Sequence, residues 1–377
     1  MKHILFIIHS LHIGGAEKVL CDFLDKFNYS EYQVDLLLYT KAGQLLPCLN
    51  KKVNLLYVYK EKEALINKVV RKCFRMMGAI DWYERRLVHE KIRSNYDAII
   101  SFCQGPGHKL HTLVLDRSKN NISWVHSDLS VSNWGIRFFH NNIHEQEEAY
   151  NLMNKIVFVS MDAKDAFNRV FNVNVVVEQY IVYNFVNGEN VLAKSQEMLS
   201  VKKKKFTFIN IGRMIEAKRQ DRLIEASKIL KDKGYDFEMW IIGDGPLKAD
   251  LEKKNIETGT TDIVILHGLQ KNPYTFLRLA DCFVLSSQQE GFSLVIGEAF
   301  ALSKPVISTD VTGPKEILSD SKYGLVVEQN IQQIACAMER MMIDAEVRNH
   351  YAEVGHQRLE YFSPMKIMEQ IYKICQN

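Results

Sequence analysis

Short apolar runs alternate with longer amphipathic segments along this chain, and the alternation occurs twice. This pattern is typical of βαβ units around a parallel sheet that is buried on both faces. The predicted strands lie near 3–9, 34–39, 53–58, 97–101, 121–125 and 155–159, and then near 206–211, 237–242, 263–266, 282–285, 305–308 and 324–327. The sequence therefore predicts an α/β fold with two doubly wound parallel sheets.

The length of 377 residues fits two domains at about 100 to 200 residues each. A polar stretch at 187–205 ends in four consecutive lysines and is predicted to be the linker. The domains would then be 1–186 and 206–362. Ser363-Pro364 predicts the start of a last helix over 363–377, which either packs on its own domain or crosses back to the first.

Composition excludes several classes of protein. A net charge of +3 is too small to indicate a nucleic-acid partner. The 7 cysteines are odd in number and never spaced C-x-x-C, which argues against a disulfide framework or a zinc site. No apolar run approaches the roughly 18 residues that cross a bilayer. We therefore expect a cytoplasmic protein.

Gly14 and Gly15 stand at the turn between the first predicted strand and a helix. Two glycines there can let a phosphate approach backbone N–H groups at the positive end of the helix. A tight turn without a ligand would use the same residues, so both interpretations stay open. The spacing departs from G-x-G-x-x-G, which argues against a dinucleotide cofactor.

Arg213 and Lys218 follow the strand predicted at 206–211, after Gly212. Both cations leave the carboxyl end of a strand, where such sheets bind ligands, so they could converge on one diphosphate. The alternative is a pair of surface cations at the start of a helix.

Two glutamates, Glu290 and Glu298, follow the strand predicted at 282–285. Between them, Gly291, Phe292, Ser293 and Leu294 would present backbone amides at a helix start. A carboxylate that accepts two neighbouring hydroxyls is a common way to hold a ribose or a sugar. Alternatively, both glutamates are only N-terminal helix charges.

The stretch from Gly268 to Leu318 carries NPY, ADCFVLSSQQEGFSLVIGEAF, SKPVISTD and GPKEIL. It resembles the retaining glycosyltransferases of family 4, which have two Rossmann-like domains in the GT-B arrangement, facing a central cleft. The matching positions are the E-x7-E pair Glu290 and Glu298, the cationic set Gly212, Arg213 and Lys218, the N-terminal glycines Gly14 and Gly15, and the strand-end histidine His126.

The resemblance implies a role for each matched residue. Arg213 and Lys218 would bind the donor diphosphate, with the amides of Gly14–Gly15 and Phe292–Leu294. Glu298 would hold the ribose, whereas Glu290 and His126 would contact the transferred sugar. His126, Glu290, Arg213 and Lys218 are the predicted catalytic set, and Gly212 and Gly291 complete the donor site. The turn Gly243-Asp244-Gly245-Pro246 resembles the family's G-x-G-P turn. A structural role as a tight turn is enough to explain it, and a direct ligand contact is the alternative.

The implied activity is retaining transfer of a hexose or N-acetylhexosamine from a nucleoside-diphosphate sugar, with UDP favoured, to a hydroxyl of a glycan or lipid-linked acceptor in cell-surface polysaccharide synthesis. The sequence has no D-x-D motif or clustered His and carboxylate set in either predicted cleft, so we expect no metal and no other cofactor. A GT-B nucleotide-sugar epimerase and a non-catalytic nucleotide-sugar-binding protein are the alternatives.

The segment 60–93 carries ten Lys or Arg against five acidic residues, interleaved with apolar ones. Such a basic amphipathic stretch could lie on anionic lipid, which would place the protein at the inner face of the cell membrane. The alternative is a helix pair packed within the domain, with solvated lysines.

Overall fold

The computed structural model describes residues 1–12, 14–62, 65–131, 133–199 and 201–376. The predicted glycine loop, 60–93 segment, linker and last helix each include residues outside these ranges, namely Ile13, Glu63, Ala64, Ser200 and Asn377. The chain forms two compact units. The first takes in Met1–Asn184 and the chain from Met365 onward, and the second is Phe185–Pro364.

The first unit is built on a parallel sheet in the order β3-β2-β1-β4-β5-β6-β7. Its strands are β1 Lys2–Ile8, β2 Tyr32–Lys41, β3 Asn54–Lys60, β4 Ala98–Ser101, β5 Asn121–Val125, β6 Lys155–Phe158 and β7 Glu178–Ile181. The order reverses direction between β1 and β4, so the carboxyl ends of these two strands flank the switch point of the sheet.

The second unit repeats the same winding, in the order β10-β9-β8-β11-β12-β13. Its strands are β8 Phe206–Ile211, β9 Phe237–Ile242, β10 Val264–Gly268, β11 Cys282–Leu285, β12 Val306–Thr309 and β13 Leu325–Val327. Its switch point lies between β8 and β11. The predicted class of two doubly wound sheets is confirmed.

Helices cover both sheets. Those between strands of the first unit are α1 Gly15–Lys26, α2 Leu65–Met76, α3 Ile80–Lys91, α4 Pro106–Thr112, α5 Ile143–Asn151 and α6 Met161–Val170. Then follow α7 Gly188–Ser195, α8 Asp221–Asp232, α9 Lys248–Glu257, α10 Tyr274–Leu279, α11 Leu294–Ala301, α12 Pro314–Leu318, α13 Ile331–Ile343, α14 Ala345–Leu359 and α15 Pro364–Gln376. Short 3-10 turns lie at Leu46–Cys48, Leu115–Arg117, Trp134–Phe139, Glu216–Lys218 and Glu360–Phe362.

The apolar runs form central strands, because helices pack on both faces of each sheet and bury the side chains on both sides of the strand. In β1, Ile4 to Ile8 are buried without interruption. In the second unit, one cluster of buried side chains joins β8, β9 and β11 to α8 and α13, and includes Phe208, Leu223, Met239, Val284 and Met338. The rigid sheets hold the loops at their carboxyl ends, which carry the predicted site residues.

The predicted linker at 187–205 is wrong in its first half. Residues 188–195 form α7. Asn187 is its N-cap, and the Asn187 side chain accepts a hydrogen bond from the Asn190 amide at 3.2 Å. Val191 is buried in a cluster with Val186, Tyr274 and Ala301 of the second unit. Val191 and Ser195 are the buried residues of this short helix, and its other side chains are partly or fully exposed.

The last helix packs on the first unit. The Tyr372 hydroxyl accepts a hydrogen bond from the Asn28 amide at 2.8 Å, and its ring stacks on Tyr32. At the far end, buried Lys155 donates to the carbonyl of Ile374 at 3.0 Å and satisfies a C-terminal helix oxygen. The chain therefore returns to its first unit after completing the second.

Within the described ranges, no helix combines the length and the apolar character that crossing a bilayer requires.

Candidate functional site

The central pair of the second unit is Lys218 and Glu290. Since β8 and β11 are neighbours in the sheet, the loops at their carboxyl ends meet. The Lys218 ammonium donates a hydrogen bond to Glu290 Oε1, and the Ser287 hydroxyl donates to the same oxygen at 2.9 Å. The side chains of Lys218 and Glu290 are 23% and 11% exposed, so the pair is largely shielded but reachable from solvent.

Backbone contacts fix these two loops against each other. The Gln288 amide donates to the Ala217 carbonyl at 2.8 Å, and the Ser286 hydroxyl donates to the Lys218 carbonyl at 3.0 Å. The Thr309 hydroxyl, at the end of β12, donates to the Ser287 carbonyl at 2.6 Å. The Lys218–Glu290 pair therefore rests on a rigid frame.

Arg213 lies on the same loop as Lys218, and its side chain is exposed. Its carbonyl accepts a hydrogen bond from the Gln220 amide at 3.2 Å, which holds the backbone beyond β8. The structure thus brings Lys218 to Glu290 and leaves the Arg213 side chain facing solvent. Convergence of the two cations on one anion stays a prediction.

The G-x-G-P turn after β9 packs against the backbone of the loop that follows β8. A Cβ on Gly243 would overlap the Gly212 carbonyl, and one on Gly245 would overlap the Met214 carbonyl. The Met214 amide also donates to the Asp244 carbonyl at 2.9 Å. Both glycines are needed for this close backbone approach, which agrees with the structural role predicted for the turn.

Glu298 lies on α11 and is only 5% exposed. The Tyr274 hydroxyl donates to its Oε1 at 2.9 Å, so the carboxylate is held in one position. The turn at Gly291–Ser293 leads into α11 and packs on the next loop, because a Cβ on Gly313 would overlap the Gly291 carbonyl. Glu298 is buried and oriented, unlike a solvated helix charge.

In the first unit, the Gly14–Gly15 turn begins α1 as predicted, and its role in binding phosphate stays a prediction. Gly14 has an extended backbone that any residue adopts. A Cβ on Gly14 would overlap the carboxylate of Glu17, whereas one on Gly15 would meet nothing. Glu17 is the third residue of α1, the position from which a capping-box carboxylate reaches back to the helix start. A phosphate at Gly14 would have to displace this carboxylate.

His126 follows β5, and its ring packs against Phe102 at 4.7 Å and Trp124 at 6.2 Å between ring centroids. Burial lowers the pKa of His126 to about 3, so the imidazole is neutral at physiological pH. Its Nε2 atom is buried and has no hydrogen-bond partner among the described residues. A neutral imidazole can exchange a hydrogen bond with a sugar hydroxyl, but it cannot supply a positive charge.

Sequence reasoning missed four residues that support the predicted ones: Glu17, Gln104, Tyr274 and Ser287. Gly14-x-x-Glu17 has the spacing of a capping box, and Ser287 precedes Glu290 by three residues in a loop. Those two signals were available. The contacts of Gln104 and Tyr274 join residues 22 and 24 positions apart and required the fold.

No group of three or more His, Cys, Asp or Glu in the described part of the chain is placed to hold a metal ion. The expectation of metal-independent chemistry stays a prediction.

Residues 193–358, inside the second unit, match the family model described as glycosyl transferases group 1. This part of the chain is similar to the group 1 glycosyl transferases. The match contains Arg213, Lys218, Glu290 and Glu298, so the paired carboxylate and cation lie inside the matched segment.

Two curated relatives align with about half of the chain. An uncharacterized glycosyltransferase of Methanocaldococcus jannaschii is 35% identical over 199 residues, 45% of this chain and 49% of that protein. The N-acetylgalactosamine-N,N'-diacetylbacillosaminyl-diphospho-undecaprenol 4-alpha-N-acetylgalactosaminyltransferase of Campylobacter jejuni is 31% identical over 195 residues, 51% of this chain and 52% of that enzyme. The chain spans about half the length of these relatives.

The fold is shared over the full length with a solved structure. A variant of TarM from S. aureus, in complex with fondaparinux, alpha-GlcNAc-glycerol and UDP, superposes with a TM-score of 0.75 at 15% identity, covering 100% of both chains. The predicted GT-B fold class is confirmed. At this identity the likeness concerns the fold alone.

Proposed function

We propose that this chain is a retaining glycosyltransferase of family 4. It moves a hexose or N-acetylhexosamine from a nucleoside-diphosphate sugar, with UDP favoured, to a hydroxyl of a glycan or lipid-linked acceptor in bacterial cell-surface polysaccharide synthesis. The observation that carries the proposal is the Lys218–Glu290 pair at the switch point of the second sheet, with the buried Glu298 eight residues further on.

The relatives support the substrate class. The Campylobacter enzyme is named for transfer of N-acetylgalactosamine to a diphospho-undecaprenol acceptor, and the TarM structure contains UDP. These facts belong to those proteins. For this chain they favour a UDP-sugar as donor and a lipid-linked acceptor.

In the proposed reaction, the bond between the sugar C1 and the diphosphate oxygen breaks, and a bond from C1 to the acceptor oxygen forms on the same face. The proton of the acceptor hydroxyl passes to the departing diphosphate oxygen. Lys218 and Arg213 stabilise the negative charge that develops on the diphosphate. Glu298 accepts hydrogen bonds from the ribose, and Glu290 and the neutral His126 contact the transferred sugar.

This chemistry is proposed to need no metal. Two cations on one loop can compensate the leaving-group charge that a divalent ion would otherwise compensate. Activity in EDTA equal to activity without it is the expected result. Loss of turnover in EDTA, restored by manganese, would contradict it.

The α2–α3 pair is the proposed contact with an anionic membrane. Along α2, the exposed apolar side chains Ile66, Val69 and Met76 are flanked by the exposed cations Lys68 and Lys72. An exposed apolar surface with a basic rim is the pattern of an interfacial helix. The opposite flank of α2 packs against Tyr59 of β3 and Tyr83 of α3.

Two contacts hold α2 in place against its neighbours. The Arg71 guanidinium lies 4.4 Å from the centroid of the Tyr59 ring, and the Phe74 ring stacks on Tyr83 at 4.5 Å. Changing Arg71 would therefore disturb the fold. Lys68→Glu with Lys72→Glu should release the protein from vesicles of anionic lipid, while Lys228→Glu with Lys231→Glu on α8 should not. Equal binding of both variants would contradict membrane contact.

The activity is tested by incubating the protein with UDP-hexoses and UDP-N-acetylhexosamines and following UDP release. The anomeric configuration of the product is then read by NMR. Release of UDP with retained configuration supports the proposal. Interconversion of the donor without UDP release would support the epimerase, and neither reaction would support the non-catalytic alternative.

A further inference from the structure

One buried amide joins the two loops beside the switch point of the first sheet. Gln104 follows β4 and is 2% exposed. Its Oε1 accepts the His126 backbone N–H at 3.2 Å, and its Nε2 donates to the Ser127 hydroxyl. Because β4 and β5 are paired neighbours, this side chain connects the carboxyl ends of both strands.

The contact with His126 matters because the His126 ring is incompletely satisfied. Its Nε2 is buried, and no described residue provides a hydrogen-bond partner. Leaving a buried polar atom unpaired is unfavourable. Phe102, two residues before Gln104, packs on the imidazole and restricts its rotation. A bound hydroxyl would supply the missing partner.

We propose that Gln104 is the positioning residue for His126: its amide fixes the His126 backbone so that the imidazole is pre-oriented toward a hydroxyl of the transferred sugar. The inference rests on the proposed function, and it adds a residue that neither the motifs nor the family match assigns. A primary amide is required because the same side chain accepts from one backbone N–H and donates to one hydroxyl. Methionine has a similar length and can do neither well.

The test is a double-mutant cycle on donor turnover. Wild type, Gln104→Met, His126→Ala and the double variant are compared by kcat and KM for UDP release from a UDP-hexose. If Gln104 acts through His126, Gln104→Met should lower kcat about tenfold in the wild type and less than about twofold when His126 is already alanine. An equal loss in both backgrounds would overturn the proposal.

Asn255→Leu is the matched control. Asn255 is also a buried amide that uses both its atoms, since its Oδ1 accepts the Thr260 hydroxyl at 2.7 Å and its Nδ2 donates to the Val264 carbonyl at 3.0 Å. It lies on α9 and contacts the start of the edge strand β10, whereas Lys218 and Glu290 follow the ends of the central strands β8 and β11. Its loss should lower the melting temperature and leave kcat unchanged. A similar fall in kcat would mean that any lost buried amide reduces turnover, and would overturn the proposal.

Two further outcomes separate this inference from the proposed function. If Gln104→Met does not fold, Ser127→Ala removes only the second hydrogen bond, and the same cycle is run with that variant. Full turnover in His126→Ala would overturn the positioning role while leaving the glycosyltransferase activity established. Absence of UDP release from the wild type with every donor would refute the proposed function and the inference together.

Discussion

Lys218 and Glu290 form a hydrogen-bonded ion pair between two neighbouring loops, although the chain separates them by 72 residues. In the proposed reaction these two groups meet different parts of one donor, the diphosphate and the sugar. The pair keeps the cation in place before the donor arrives, so little reorganisation is needed when it binds.

Removing this cation should abolish most of the activity. We expect Lys218→Met to lower kcat by roughly 10² or more, the cost of losing a single charge-stabilising donor. Lys231→Met is the control, because Lys231 also loses an ion pair, with Asp262, but at the far end of α8. Turnover measured under saturating donor should fall only in the first variant. Equal turnover in both would remove Lys218 from the mechanism.

The Tyr274–Glu298 contact should set nucleotide affinity. Tyr274→Phe removes one hydrogen bond to a buried carboxylate, worth about 1.5–3 kcal/mol for a charged acceptor. Glu298 is then less well oriented, and the dissociation constant for the nucleoside diphosphate should rise about tenfold by calorimetry. Tyr235→Phe, which loses a hydrogen bond to Glu339 on the surface, is the control. Unchanged affinity in Tyr274→Phe would separate Glu298 from ribose binding.

Alanine substitutions at Gly14 and Gly15 should change the free energy of unfolding in opposite directions. Gly15→Ala should raise the free energy of unfolding by about 0.4–1 kcal/mol, since alanine fits the helix and restricts the unfolded chain. Gly14→Ala should lower it, because the new methyl group displaces the Glu17 carboxylate from the helix start. Urea unfolding measures both. In a Glu17→Ala background the cost of Gly14→Ala should vanish, and a persistent cost would mean that another contact excludes the methyl group.

The first unit should lose stability in mild acid. Burial lowers the pKa of His108 and His126 to about 3 and that of His111 to about 4. Between about pH 6.5 and 4 the unfolded chain binds protons at these positions and the folded chain does not, so stability falls as pH falls. Three such groups contribute a slope of about 4 kcal/mol per pH unit near pH 5.

Fluorescence can isolate this effect. In Trp240→Phe the remaining tryptophans, Trp82, Trp124 and Trp134, all lie in the first unit, so urea unfolding reports on it alone. Adding His111→Gln should reduce the slope by about a third. An unchanged slope would show that His111 titrates normally in the folded protein.

The sequence predicted most strands because their apolar runs are buried on both faces: β5, β8, β9 and β11 have the predicted bounds. It missed β7, Glu178–Ile181, because an edge strand that pairs only with β6 is half-exposed and lacks an apolar run. It also missed α7, because most side chains of this short helix are exposed and its sequence resembles a polar linker.

The sequence predicted which residues form the candidate site, but it did not predict which other side chains hold them in place. Motif spacing found Lys218, Glu290, Glu298 and His126, since each follows a strand at the carboxyl edge of a sheet. The partners of these residues depend on which strands are neighbours, and periodicity does not encode strand order. This is why the roles of Tyr274 and Gln104 emerge only from the structure. The contact between Gly14 and Glu17 is local, by contrast, and its spacing was present in the sequence.

Thermal unfolding with UDP, GDP, ADP and NAD, on the wild type and Glu298→Ala, tests the central claim most directly. A ligand at 100 times its dissociation constant stabilises the folded protein by about 2.7 kcal/mol, which is visible as a shift of a few degrees. The account predicts that one nucleoside diphosphate stabilises the wild type, that Glu298→Ala loses most of this response, and that NAD has no effect. Failure of all three diphosphates to shift the wild-type transition would contradict a nucleotide-sugar site in this protein.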